Sequence, residues 1–154
     1  MKNSQYITPL IGKAPWLVWK GAGSHLFLEF GAKCRSSSGP VKGTYSLCIS
    51  MAHWWICKES NELVNSESKD TLISKGSQIL SGKRLAEVIF CNHVLKNRVL
   101  CSVRFIFDDR ISLRVYMYSD RTEDELFFIS GPGYFVKYDY QGKLSVKRKL
   151  NKSK

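Results

Sequence analysis

Strict alternation over residues 43–57 restricts this chain more than any other feature. Tyr45, Leu47, Ile49 and Met51 alternate with Thr44, Ser46, Cys48 and Ser50, the period of two that turns one face of a β-strand toward a core. From Ala52 onward both parities are bulky, with His53 and Trp55 on one side and Trp54 and Ile56 on the other. That thickening predicts a central strand covered on both faces at this end, with the rest of the chain packed around it.

The flanking segments supply more strands. Gly21 and Gly23 give the positive-φ freedom of a tight turn, so residues 15–19 and 24–31 are expected to pair antiparallel. Residues 32–42, with Ser36, Ser37, Ser38, Gly39 and Pro40, read as a loop. Segments 85–91, 98–107, 111–118, 125–129, 134–138 and 144–146 read as strands, separated by turn material at Asp108-Asp109-Arg110, Gly131-Pro132-Gly133 and Gln141-Gly142. One helix is expected near 69–81. Leu72, Ile73, Ile79 and Leu80 form a single stripe, Ser68 is the candidate N-cap, Asp70 sits in the first turn, and Gly82 ends it. Gly76 inside it calls for tertiary support or serves a close contact with the sheet. The fold class is therefore α+β, a mostly antiparallel sheet system of about eight strands with one principal helix.

A chain of 154 residues needs only one core. Residues 1–142 read as a single β-rich domain. The last twelve carry six of the positive charges behind the net +11 and no acid, so 143–154 is expected to be a disordered basic tail. A weak internal echo runs through the body. Leu10-Ile-Gly-Lys13 leads through Trp16-Leu-Val-Trp19 to Leu26-Phe-Leu-Glu-Phe30, and Leu80-Ser-Gly-Lys-Arg84 leads through Val88-Ile-Phe90 to Val103-Arg-Phe-Ile-Phe107. It fits two related β halves around one core, and it equally fits convergent hairpin composition.

No apolar run approaches the ~20 residues of a bilayer span, and residues 1–6 lack a signal-peptide layout, which places the chain in the cytoplasm as an expectation. Five cysteines without paired spacing are expected as reduced thiols. Catalytic company is missing. His53 and Cys57, four apart on a strand, are separated by about 13 Å, too far to share a site. No Cys-x-x-Cys pair, His-Glu-x-x-His helix or complete phosphate loop occurs. The expectation is a non-enzymatic protein without cofactor or metal.

The informative constellation is the hairpin 98–118. Val99, Cys101, Val103, Phe105 and Phe107 alternate inward on one arm, and Ile111, Leu113, Val115 and Met117 on the other. With a three-residue loop, Phe107 pairs with Ile111 and Arg104 falls opposite Arg114. Like charges across a ladder are unfavourable unless an anion shares them. That anion is Glu87 or another carboxylate of the chain, a partner's carboxylate, or a nucleic-acid phosphate. Arginine and tyrosine interleaved on a sheet face suit protein and nucleic-acid partners alike, so the candidate partner-binding residues are Arg98, Arg104, Arg114, Tyr116 and Tyr118.

The succession Gly23-Ser-His-Leu-Phe-Leu-Glu-Phe-Gly31, Val41-Lys-Gly-Thr-Tyr-Ser-Leu-Cys-Ile-Ser-Met-Ala-His-Trp-Trp-Ile56, Ser66-Glu-Ser68, Leu80-Ser-Gly-Lys83 and Phe105-Ile-Phe-Asp108 resembles a group of small bacterial proteins whose company is that of immunity proteins of contact-dependent or polymorphic toxin systems. The resemblance spans residues 10–140. It implies a protein that neutralises a cognate toxin by direct binding, and its motifs carry no functional residue across. The basic tail and strong positive charge depart from an inhibitor of nuclease toxins, which presents carboxylates to a basic site, and so leave the toxin class open; the arginine and tyrosine face implies an acidic contact patch on the toxin. The alternative expectation is a nucleic-acid-binding β domain using the basic and aromatic sheet face.

Overall fold

The computed structural model describes residues 4–35, 39–117, 121 and 123–150. Among them are eleven strands: β1 (Leu17–Lys20), β2 (Leu26–Arg35), β3 (Val41–Ile49), β4 (Ala52–Lys58), β5 (Asn61–Asn65), β6 (Leu85–Leu95), β7 (Arg98–Phe107), β8 (Ile111–Met117), β9 (Glu125–Gly131), β10 (Tyr134–Asp139) and β11 (Leu144–Arg148). One α-helix, α1 (Asp70–Gly76), runs into a 3-10 turn at Ser77–Leu80. The class is the expected mostly antiparallel β with a short helix, but the strand count exceeds the expected eight.

The largest correction concerns residues 43–57, which are not one strand. The chain turns a corner at Ser50 and Met51, so β3 and β4 belong to different sheets. One sheet has the order β1-β2-β3-β9-β10-β11 and the other β5-β4-β8-β7-β6, with every pairing antiparallel. Met51, expected inward, is 49% exposed at the corner, and the Tyr140 hydroxyl donates to its carbonyl. Beyond the corner Ala52, Trp54 and Ile56 are buried while His53 and Trp55 are only half-buried, so β4 is covered on one face rather than two.

The sheets share one core. Phe105 of the second meets Phe127 of the first edge-on, with ring centroids 5.2 Å apart, and the Trp54 indole donates to the Ser24 carbonyl at 2.7 Å. Its composition follows two matching rungs. Val18, Leu28, Leu47, Ile129 and Val136 are neighbours across the first sheet; Val88, Phe105, Leu113, Ile56 and Val64 are neighbours across the second. All ten are buried, and at about 25 cal/mol per Å² such rungs dominate the stability of the sandwich.

This correspondence extends to topology. Replacing β1, β2, β3, β4 and β5 by β6, β7, β8, β9 and β10 exchanges the two sheets, with β11 left as an addition. The Gly-Lys turns obey the same exchange: Gly12 N–H donates to the Leu85 carbonyl at 2.7 Å, and Gly82 N–H to the Pro15 carbonyl at 2.8 Å. Gly12 and Gly82 have φ of 83° and 80°, a conformation glycine adopts without a Cβ penalty. The faint echo in the sequence thus corresponds to two structurally equivalent halves, each lending two strands to the other's sheet.

Helix α1 is shorter than the 69–81 span. Lys69, not Ser68, holds the N-cap position and makes no side-chain cap; the Ser68 hydroxyl instead accepts the Asn65 N–H at 3.1 Å. Gly76 serves close contact, since a Cβ there would lie 3.0 Å from the Val64 Cβ. Ile73 and Leu80 are buried while Leu72 is 55% exposed, so only part of the stripe packs. In the basic C-terminal stretch, residues 144–148 pair with β10 as β11 rather than being disordered, and 151–154 lie outside the described residues. No helix among the described residues is long and apolar enough to cross a membrane.

Candidate anion-binding face of the second sheet

The β7–β8 turn sets the site. Asp108–Arg110 forms one 3-10 turn with Asp109 and Arg110 both at φ 60°, a conformation Asp tolerates better than most residues. That three-residue connection fixes the register in which Arg104 is the direct cross-strand partner of Arg114. Ile111, Leu113, Val115 and Met117 are buried behind them. On the first arm the alternation weakens toward its start, where Val99 is 53% exposed and Leu100 is buried.

The arginine pair occupies an outward rung that crosses the whole sheet: Ile89, Arg104, Arg114, Trp55 and Asn65. Around it lies a cleft of about 160 Å³ whose lining includes Arg104, Arg114, Tyr116, Trp55, His93 and Ser102. His93 Nε2 and the Ser102 hydroxyl are 2.7 Å apart. The His93 and Tyr116 rings meet edge-on at 5.3 Å, and Trp55 and Tyr116 are tilted at 6.4 Å. Three aromatic rings therefore border two guanidinium groups. Arg104 is exposed and Arg114 half-buried, and the Arg114 Nε is buried without a hydrogen-bond partner among the described residues, a donor whose desolvation they leave uncompensated.

No carboxylate among the described residues is ion-paired with Arg104 or Arg114. Glu87, paired with Ile106 on the next rung of the same face, makes no ion pair to either arginine. The equivalent half supplies an internal control. Its corresponding rung is Trp19, Phe27, Cys48, Phe128 and Lys137, so Phe27 and Cys48 stand where Arg104 and Arg114 stand. There Trp19 and Phe27 stack at 4.1 Å and Phe27 meets Phe128 at 6.4 Å. The architecture is satisfied by an apolar pair at these positions, which leaves the arginines without a structural reason to be there.

Of the five residues singled out from sequence, Arg104, Arg114 and Tyr116 converge on this cleft. Arg98 does not: it pairs with Leu95 at the tip of the β6–β7 hairpin, about 20 Å along the strand from Arg104 at ~3.3 Å per residue. Tyr118 lies outside the described residues. Trp55 and His93 were not anticipated as part of this site; the parity of Trp55 opposite Trp54 was the available signal, but its strand neighbour was not. A second cleft, of about 280 Å³, opens on the other side of the Trp55–Tyr116 pair and is lined by His53, Glu62 and Glu67 among others. His53 Nδ1 lies 3.9 Å from the Glu67 carboxylate there, and Cys57, on the same strand, is not part of that lining. No cluster of three or more His, Cys, Asp or Glu side chains suited to a metal occurs among the described residues. Comparison with protein-family models, with curated proteins and with solved structures found no match to this chain.

Proposed function

We propose that this chain is a non-enzymatic, cytoplasmic binding protein that neutralises a cognate protein toxin, holding an acidic patch of that toxin on the outer face of the second sheet. The observation that carries this reading is the direct opposition of Arg104 and Arg114 with no acid among the described residues paired to either of them. A carboxylate entering the cleft relieves the repulsion, takes the buried Arg114 Nε as a donor, and is shielded from water by Trp55, Tyr116 and His93. That is the composition of an interface hot spot, a charge-assisted contact ringed by aromatics. The sequence resemblance to immunity proteins is the support for taking that partner to be a toxin.

Nucleic acid is the second reading, favoured by the same aromatic border, on which bases stack. Co-expression with the product of the adjacent gene separates the two, and a neighbourhood without a toxin gene overturns the proposal. Co-purification in the wild type, lost on Arg104→Glu, supports the proposal. Failure to co-purify, or a complex indifferent to Arg104→Glu, overturns it. Binding to single-stranded nucleic acid that weakens linearly with the logarithm of salt, by about one unit per phosphate contacted, would instead select the second reading.

A further inference from the structure

The equivalence of the two halves also compares their sheet edges. In the first half the outer strand β1 has four residues and lies against the helical segment; the Gln78 side-chain amide donates to the Val18 carbonyl at 2.7 Å. Its counterpart β6 has eleven residues. Glu87 is its single formally charged residue, and it contains no proline. Among the described residues, its backbone partners outside β7 are Gly12 and Lys13, both at Leu85. A long edge of this kind, with one charge, no proline and its register irregularity confined to the Leu85 end, is a template for another strand. Its far end continues into a hairpin arm closed by Lys96 and Asn97 at φ 50° and 62°, where the cross-strand pair Val94 and Val99 is 78% and 53% exposed.

We propose that β6 pairs antiparallel with β6 of a second copy of this chain, about a two-fold axis at Phe90, joining two five-stranded sheets into one. The occupant follows from the strand's own complementarity. That axis sets Glu87, which has no ion pair among the described residues, opposite the partner's His93. It sets Ile89 opposite the partner's Cys91. It places the exposed Val94 opposite the partner's Ala86, the small exposed residue at the register irregularity between Leu85 and Glu87. Each contact occurs twice, as an isologous interface requires. An unrelated strand would have to reproduce the acid, the gap at Ala86 and the apolar middle in the same order.

Analytical ultracentrifugation of the full chain, at concentrations up to about 100 µM, reads the assembly, and cross-linking reads the register. The wild type is expected as a dimer, and Val94→Lys, at a position already exposed in the single chain, is expected to raise the dissociation constant at least about tenfold. Ile89→Cys is expected to form, on oxidation, an intermolecular disulfide with Cys91 that disappears when Cys91→Ser is added. A monomer across the range overturns the proposal. So does a dimer that Val94→Lys leaves unchanged, or one in which Ile89→Cys does not link to Cys91. A dimer that fails to bind toxin would leave this inference standing and sink only the functional one.

Discussion

Replacing Arg104 by glutamine should make the protein slightly more stable while disabling its binding face. Arg104 is exposed and directly opposite Arg114, so deleting its charge removes a repulsion and leaves no cavity. Two unit charges about 6 Å apart in water repel by roughly 0.7 kcal/mol, and like-charged cross-strand pairs cost about 0.2–1 kcal/mol. A gain near 0.5 kcal/mol is therefore expected, which for a domain of this size raises Tm by about 1–2 °C. Urea unfolding and thermal melts of wild type and Arg104→Gln at low salt measure it. Repeating them at about 1 M salt, where the screening length falls to ~3 Å, should erase the difference. Destabilisation by more than about 1 kcal/mol would refute the reasoning, because it would mean that Arg104 is held by the chain itself and the pair is part of the scaffold.

The remaining predictions concern the scaffold. Burial pushes the Cys48 and Cys101 thiols up to about 12 and about 11 and also raises Cys57, whereas Cys34 and Cys91 are exposed; a thiol reagent near pH 8 should label two cysteines rapidly in the folded protein and all five after denaturation. Gly43→Ala would place a Cβ 2.1 Å from the Phe30 carbonyl oxygen, a backbone clash that no side-chain movement relieves, and should cost at least about 3 kcal/mol or prevent folding, read as a collapse of the denaturation midpoint. Leu47→Ala and Leu113→Ala occupy equivalent, fully buried positions in the two sheets. Each should cost about 2–5 kcal/mol, with the two values within about 1 kcal/mol of one another; a much larger gap between them would argue against equivalent halves.

The Arg104–Arg114 pairing was legible in the sequence because it is local. A short turn with two aspartates joins two alternating arms, and register then follows from parity alone. The break between β3 and β4 was not. Alternation reports which face a side chain takes but not which sheet its strand joins, and the corner at Ser50 and Met51 carries neither glycine nor proline to mark it. Trp55 and His93 reach the cleft through pairings of β4 with β8 and of β6 with β7, the first linking residues about sixty positions apart. The helix span was legible to within its 3-10 extension, but the Ser68 hydroxyl was taken by the preceding turn instead of the helix. The repeat stayed faint for a physical reason. The β6–β7 hairpin is longer than β1–β2, so the offset between equivalent residues changes from strand to strand; the matches that remain are the Gly-Lys turns, which need positive φ, and scattered core residues such as Val18 and Val88 or Leu47 and Leu113, too far apart to read as a repeat.

The arginine rung as a recognition surface is tested most directly by the affinity of the co-purified toxin for the Arg114→Glu variant. Reversing the half-buried charge should weaken binding at least about 100-fold relative to wild type, a loss of about 2.7 kcal/mol or more, with the variant's fold verified by an unchanged denaturation slope. An affinity equal to that of the wild type would contradict the account and return the paired arginines to the scaffold.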